Sequence, residues 1–147
     1  KRFRAISGLS MGGGGTFLYA LHHPDLFASA APLSAWMGPQ TLKEMNDFAQ
    51  RENMTFKESD LEPFLNKNNP LRIINKMNAK EINSVRWYID CGDDDFLYEG
   101  NSQMHIQMRN KNINHEFRIR DGGHTWTYWR TALPNVLEFI SQGFHQY

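Results

Sequence analysis

A serine flanked by glycines lies near the start of the chain, in the segment Gly8-Leu9-Ser10-Met11-Gly12, and it follows a short apolar run. A serine hydroxyl is a weak nucleophile, so it must be exposed where a base can reach it. A sharp turn from a strand into a helix achieves this, and glycines, which lack a Cβ atom, let the two elements approach closely there. The spacing therefore predicts Ser10 as a nucleophile.

Two later segments carry carboxylates and an imidazole in the order that a Ser, acid, His triad requires after such a turn. Asp93, Asp94 and Asp95 follow one β-rich run, and His124 follows two glycines after the next one. His124 is predicted to accept the proton of Ser10 and to return it to the leaving alcohol. The three consecutive aspartates cannot all point inward, and the residues alone leave open which of them orients His124.

Other chemistry finds less support in the sequence. The remaining histidines have no pair with metal-ligand spacing and carboxylate support, so neither a metal nor another cofactor is predicted. Cys91 is the single cysteine, and its place in an apolar run predicts a buried, unreactive thiol. Trp36 and Met37 follow one β-rich run and Trp126 follows His124, so these side chains are candidates for a substrate pocket.

The elements that must position these residues alternate along the chain, which predicts an α/β fold of about four mostly parallel strands with flanking helices. Strands are expected at residues 2–9, 27–33, 84–91 and 114–120. Helices are expected at residues 13–22, 41–51, 101–110 and 133–144, and residues 40–80 are expected to form a helical insertion. Ser10, the aspartates and His124 then each lie just past the carboxyl end of a strand.

Composition limits the partners. The 147 residues suit one domain, and 16 basic side chains balance 16 acidic ones. This balance gives no electrostatic attraction to nucleic acid or to an anionic membrane. No run of about 18 apolar residues occurs, so no membrane span is predicted.

Three segments together resemble the esterase D-like group of α/β-hydrolases, and within it carbohydrate esterase family 1, the feruloyl and acetyl xylan esterases. They are Ser7-Gly8-Leu9-Ser10-Met11-Gly12-Gly13, Cys91-Gly92-x-x-Asp95-x-Leu97 and Gly122-Gly123-His124-x-Trp126-x-x-Trp129. The resemblance covers nearly the whole chain. It implies that residues 1–147 form the C-terminal part of one esterase domain with a partial α/β-hydrolase fold.

The resemblance also implies roles and a reaction. Ser10 would be the nucleophile, Asp95 the acid, His124 the base, and the backbone N–H of Met11 one oxyanion donor. The expected activity is removal of feruloyl or acetyl groups from plant polysaccharide through an acyl-enzyme, in an extracytoplasmic or secreted location. The same fold also serves acyltransferases such as the mycolyl-transferring antigens and S-formylglutathione hydrolases, and a non-catalytic carbohydrate-binding remnant is a third alternative.

One part of the family pattern lies outside these residues. In the family a loop before the nucleophile turn supplies the second oxyanion donor and much of the substrate pocket. Loss of one such donor costs about 10²–10³ in turnover, so the chain alone is expected to be weakly active or inactive. The strand before Ser10 is also expected to be an open sheet edge, through which the chain could associate with itself.

Overall fold

The computed structural model describes residues 1–145, and its centre is one sheet of four parallel strands. The strands stand in chain order across the sheet and are β1 (Ala5–Leu9), β2 (Ser29–Leu33), β3 (Arg86–Gly92) and β4 (His115–Arg120). Each strand pairs in parallel with the next. The predicted α/β class with four parallel strands is therefore confirmed, and all four carboxyl ends meet at one edge of the sheet.

Seven helices connect or flank the strands in the described residues. They are α1 (Met11–His22), α2 (Leu42–Arg51), α3 (Leu61–Asn68), α4 (Pro70–Lys76), α5 (Ala79–Ile82), α6 (Tyr98–Asn110) and α7 (Trp126–His145). The segment between β2 and β3 is thus built of four short helices and a 3₁₀ turn at Glu58–Asp60. Asn69 caps α4, because its Oδ1 accepts the N–H groups of Leu71 at 3.0 Å and Arg72 at 3.3 Å.

The last helix begins at Trp126, seven residues before the predicted start at Leu133. The predicted start was wrong. Pro134 lies in the helix interior and removes one backbone hydrogen bond, so the local sequence favours a later start. Tertiary packing outweighs this loss, since the first turns of α7 bury Tyr128 and Trp129 against the sheet.

Two apolar cores cover the two faces of the sheet. Successive residues of a strand point to opposite faces, so the adjacent Trp87 and Tyr88 of β3 belong to different cores. Trp87 packs with Phe17 of α1 at 5.7 Å between ring centroids, while Tyr88 packs with Phe139 of α7 at 5.3 Å. Because both helix layers pack directly on the sheet, the loops at the carboxyl ends of the strands are held at fixed positions.

Cys91 lies in β3 and is fully buried, as its apolar setting predicts. Burial, reinforced by the charge of Asp95, raises the pKa of its thiol to about 12, so the reactive thiolate is scarce at neutral pH. Across residues 1–145, we find no helix with the length and apolar character needed to span a membrane.

Candidate active site

Ser10 lies at the turn between β1 and α1 in a strained backbone conformation, with φ 57° and ψ −118°. Its N–H donates to Leu33 O at 3.0 Å, which ties the turn to β2. Gly8 permits the turn, because a Cβ atom there would lie 2.4 Å from the carbonyl oxygen of Gly12. The sequence spacing thus produces a sharp turn that leaves the Ser10 side chain at the sheet edge.

A continuous hydrogen-bonded series joins Ser10, His124 and Asp95. His124 Nε2 lies 2.9 Å from Ser10 Oγ, and His124 Nδ1 lies 2.9 Å from Asp95 Oδ2. A carboxylate only accepts, so Nδ1 carries the proton and Nε2 is free to accept from the serine hydroxyl. The Asp95 carboxylate is fully buried and the imidazole is 18% exposed, so the series is shielded from water on the aspartate side.

The three consecutive aspartates have three different environments. Only Asp95 faces the imidazole, and its Oδ1 also accepts the N–H of Leu97 at 2.8 Å. Asp93 Oδ1 instead accepts the N–H of Gly122 at 3.1 Å. The Asp94 side chain is exposed. The choice that the residues left open therefore falls on Asp95 by position.

The loop that carries His124 is tied to the loop that carries Asp95. Asp93 N–H donates to Arg120 O at 3.0 Å, and Asp94 N–H donates to Gly122 O at 3.1 Å. Gly122 has φ 137°, and a Cβ atom there would lie 2.8 Å from the Tyr128 ring. Only glycine fits such a backbone comfortably, so Gly122 lets the loop fold back toward Ser10.

A buried charged group lies behind this loop. The fully buried Asp90 carboxylate contacts Arg120 Nη1 at 2.8 Å and accepts hydrogen bonds from the hydroxyls of Tyr88 at 3.0 Å and Tyr128 at 2.5 Å. Burial and the Asp90 charge raise the pKa of both tyrosines, so they remain protonated donors. Tyr128 thereby connects the start of α7 to β3.

Two aromatic side chains enclose the imidazole of His124. Phe96 lies on one side at 4.6 Å between ring centroids, and Trp129 meets the ring edge-on at 4.8 Å. The indole Nε1–H of Trp129 donates to Ser34 Oγ at 3.0 Å. The sequence motif after His124 includes Trp129, but neither its contact with the imidazole nor that of Phe96 was predicted. Had the helix been predicted to begin at Trp126, Trp129 would have been expected near the imidazole, because it then lies one turn past the His124 loop.

An apolar cavity of about 250 Å³ adjoins the start of α1. Met11, Trp36 and Met37 line it, together with Phe48 and Phe64 from the helical segment. The predicted pocket residues Trp36 and Met37 therefore share one cavity with Met11. Met11 is the first residue of α1, and the N–H groups of a helix's first turn have no partner within the helix.

Trp126, the third predicted pocket residue, lies outside the described lining of this cavity. Its side chain is 61% exposed and meets Trp129 edge-on at 5.3 Å. As the first residue of α7 it supports Trp129 rather than the cavity wall.

Three exposed carboxylates, those of Asp93, Asp94 and Asp121, lie within 4.8 Å of one another in the described part of the chain. Their oxygens are close enough together to contact one cation. One of them already accepts the Gly122 N–H, and exposed acidic turns of this kind commonly hold none.

A parallel sheet with a serine at a strand-to-helix turn, facing a histidine and an aspartate from the loops after later strands, defines an α/β-hydrolase. Residues 1–140 match the Esterase family model, and the chain belongs to this family of esterases.

Known proteins agree with this assignment. The acetyl esterase of Caldicellulosiruptor saccharolyticus is 24% identical over 143 residues, covering 93% of this chain and 54% of the relative. A ferulic acid esterase structure aligns with TM-score 0.76 and 35% identity, covering 96% of this chain and 51% of that one. The S-formylglutathione hydrolase FrmB from Staphylococcus aureus aligns with TM-score 0.67 and 26% identity, over 95% and 53% of the respective chains. The chain spans about half the length of these relatives.

Proposed function

We propose that the chain is a serine carboxylic ester hydrolase that removes feruloyl or acetyl groups from plant polysaccharide. The observation that carries the proposal is the series from Ser10 Oγ through His124 to Asp95, with both contacts to the imidazole at 2.9 Å. Membership of the esterase family supports the same reaction class. Plant polysaccharide is a polymer that lies outside the cell, so we also propose an extracytoplasmic location for the enzyme.

In the acylation step, Ser10 Oγ attacks the ester carbonyl carbon while His124 Nε2 takes the hydroxyl proton. Asp95 accepts the Nδ1–H and stabilises the imidazolium that forms. The carbonyl oxygen becomes an oxyanion, which the free Met11 N–H and the positive end of α1 stabilise. Collapse expels the sugar alkoxide, which takes the proton from His124, and leaves the acyl group on Ser10.

In the deacylation step, His124 removes a proton from water, and the resulting hydroxide attacks the acyl carbonyl. The second oxyanion collapses and expels Ser10 Oγ, which recovers its proton from His124. The apolar cavity beside Met11, with Trp36 in its wall, is suited to an aromatic or methyl acyl group and supports this substrate class. The names of the acetyl esterase and ferulic acid esterase relatives support the same two acyl groups.

Covalent labelling with a fluorophosphonate tests the proposal directly. We expect the chain to be labelled at one site and Ser10→Ala to remove the label. Ser141→Ala, a change at an exposed serine of α7, is the matched control and should label like the parent chain. Continued labelling of Ser10→Ala would contradict the proposal. So would a lack of labelling in both this chain and a longer protein that includes it, which would favour a non-catalytic carbohydrate-binding remnant.

Thioester hydrolysis is the second candidate, because the S-formylglutathione hydrolase structure aligns over 95% of this chain. The two activities share the acyl-enzyme and differ in the leaving group. A higher kcat/KM on S-formylglutathione than on an acetylated xylo-oligosaccharide would select the thioesterase. Acyl transfer is separated from both by adding a competing alcohol, since a transferase yields the new ester in preference to the free acid.

A further inference from the structure

A second, polar cavity of about 500 Å³ lies between α3, α4 and α6. We call it the amide cleft, because carboxamide side chains from three parts of the chain line it: Gln40, Asn66, Asn69, Asn75, Gln103 and Gln107. Among the described residues of its wall, only Leu71 is apolar. The cleft therefore differs in character from the apolar cavity beside Met11.

Most of these carboxamides are not used to hold the fold. Asn69 is the exception, since it caps α4 and donates to Pro39 O at 3.4 Å. Within residues 1–145, the half-buried side chains of Asn66, Gln103 and Gln107 have no hydrogen-bond partner. Gln107 Oε1 is also buried, and a buried polar atom without a partner costs free energy, so rotation of this side chain toward a ligand in the cleft would be favourable.

The chemistry of the cleft favours a neutral ligand with many hydroxyl groups. A carboxamide offers two donors and an acceptor, and a sugar hydroxyl both donates and accepts, so the two groups match in either direction. The charged residues of the cleft largely cancel, because Arg72 Nη1 pairs with Glu62 Oε2 at 2.7 Å and leaves Lys76 as the cation without an ion pair among the described residues. A strongly anionic ligand such as a phosphate would need more positive charge.

The amide cleft is also placed beside the esterase site. Pro39 and Pro70 line the apolar cavity, while their neighbours Gln40 and Asn69 line the cleft, so the two share a wall. Gln103 lies five residues after the start of α6, which is about 7 Å along the helix axis from the loop that carries Asp95. A glycan in the cleft would therefore lie next to the apolar cavity that Met11 lines, one residue after Ser10.

We propose that the amide cleft binds a glycan, a chain of neutral sugar residues, and holds the polymer whose ester is cleaved at Ser10. The proposal rests on the esterase function proposed above. It assigns the polysaccharide backbone to the carboxamides and the acyl group to the apolar cavity.

Side-chain amide signals in NMR spectra of the ¹⁵N-labelled chain test the site without any turnover. Unesterified xylohexaose, cellohexaose and mannohexaose are titrated separately. We expect at least one of them to shift the NH₂ signals of Gln103 and Gln107, with the exposed Gln50 of α2 unmoved. Absence of shifts with all three sugars, or equal shifts at Gln50, overturns the proposal.

A double substitution, Gln103→Ala with Gln107→Ala, measures the contribution of the cleft. Loss of two hydrogen bonds should weaken the affinity for the sugar by about tenfold. It should lower kcat/KM on an acetylated xylo-oligosaccharide by a similar factor. Turnover of 4-nitrophenyl acetate should not change, and Gln50→Ala should leave all three quantities unchanged. Unaltered sugar affinity in the double variant overturns the proposal. Failure of the esterase function would appear separately, as loss of fluorophosphonate labelling at Ser10.

Discussion

At the scale of single residues, the site depends on one aspartate among three neighbours. Asp95 is buried against the imidazole, whereas Asp93 ties two loops together and Asp94 faces solvent. A turn that places consecutive side chains in different directions gives each of them a different environment. Charge alone therefore does not identify the acid.

We expect Asp95→Asn to lower kcat on 4-nitrophenyl acetate by about 10³–10⁴, because the amide favours the wrong tautomer of His124. Asp94→Asn is the matched control and should keep nearly full activity, since its carboxylate is exposed. Steady-state kinetics of both variants make the measurement. Equal loss in the two variants would show that the run acts through its charge rather than through one contact.

Residue identities were predictable where a motif carries them. Ser10 and His124 follow from spacing and order, and both lie where that order places them. Residue type alone did not separate Asp95 from its neighbours, because the choice depends on the direction of each side chain in a turn. The resemblance to the esterases selected Asp95, the residue that contacts the imidazole. The ring contacts with His124 escaped prediction, because that of Phe96 depends on how two loops meet and that of Trp129 on how α7 packs.

At the scale of elements, α1 packs its glycine-rich face tightly against the chain that leaves β2. A Cβ atom on Gly14 would lie 2.1 Å from the carbonyl oxygen of Trp36, whereas one on Gly15 would meet nothing within 4 Å. Trp36 N–H also donates to Ser10 O at 3.0 Å. A shift of this backbone would therefore move Ser10.

Two neighbouring glycine substitutions should have opposite effects. Gly14→Ala should destabilise the chain and reduce kcat, because Trp36 must move. Gly15→Ala should stabilise it by about 1 kcal/mol, since alanine favours a helix and the site has room. Urea unfolding gives the free energies of unfolding. Similar effects of the two substitutions would contradict the close approach at Gly14.

The start of α7 is the second element that fixes the site. Arg120→Met should leave the buried Asp90 charge without its cation and reduce the free energy of unfolding by about 3 kcal/mol. Because Tyr128 and the His124 loop depend on the same group, kcat should fall with little change in KM. Arg118→Met, which breaks the exposed pair with Glu116, is the control and should cost less than about 1 kcal/mol. Equal losses would argue against a special role of the buried pair.

Strands and helices with strong sequence patterns were predictable, but the residues at which they begin and end were less so. The alternation of β-rich and helical runs predicted four strands, which the sheet confirms. The start of α7 did not follow from the sequence, because Pro134 weakens the local helical signal and long-range burial of Tyr128 and Trp129 decides the outcome. Such long-range packing cannot be inferred from residues that are neighbours in the sequence.

At the scale of the whole molecule, parallel strands bring Ser10, Asp95 and His124 together although 114 positions separate the first from the last. Both outer strands of the described sheet, β1 and β4, pair on one side only among residues 1–145. Self-association through β1 therefore stays a prediction, and sedimentation velocity at several concentrations would measure it.

A histidine pair at the opposite end of the sheet makes stability depend on pH. His105 Nδ1 lies 2.7 Å from His115 Nε2, and His115 Nδ1 lies 2.7 Å from Ile113 O. Burial, followed by the charges of His115 and Arg109, lowers the pKa of His105. The unfolded imidazole, with a pKa of about 6.5, binds protons more readily, so the free energy of unfolding should fall between pH 7 and pH 5.

Urea unfolding across this pH range measures the effect. His105→Gln should make the decline shallower, because the proton uptake on unfolding is lost. His23→Gln, at an exposed histidine after α1, should leave the slope unchanged. An identical slope in parent chain and His105→Gln would refute the assignment.

The backbone of Ser10 has an evolutionary consequence. Its φ of 57° and ψ of −118° suit glycine, and a non-glycine residue held there costs about 1–3 kcal/mol. A lineage freed from any need for the hydroxyl would become more stable by exchanging this serine for glycine, through a single advantageous mutation. Inactive descendants of such a domain are therefore expected to carry glycine at this position.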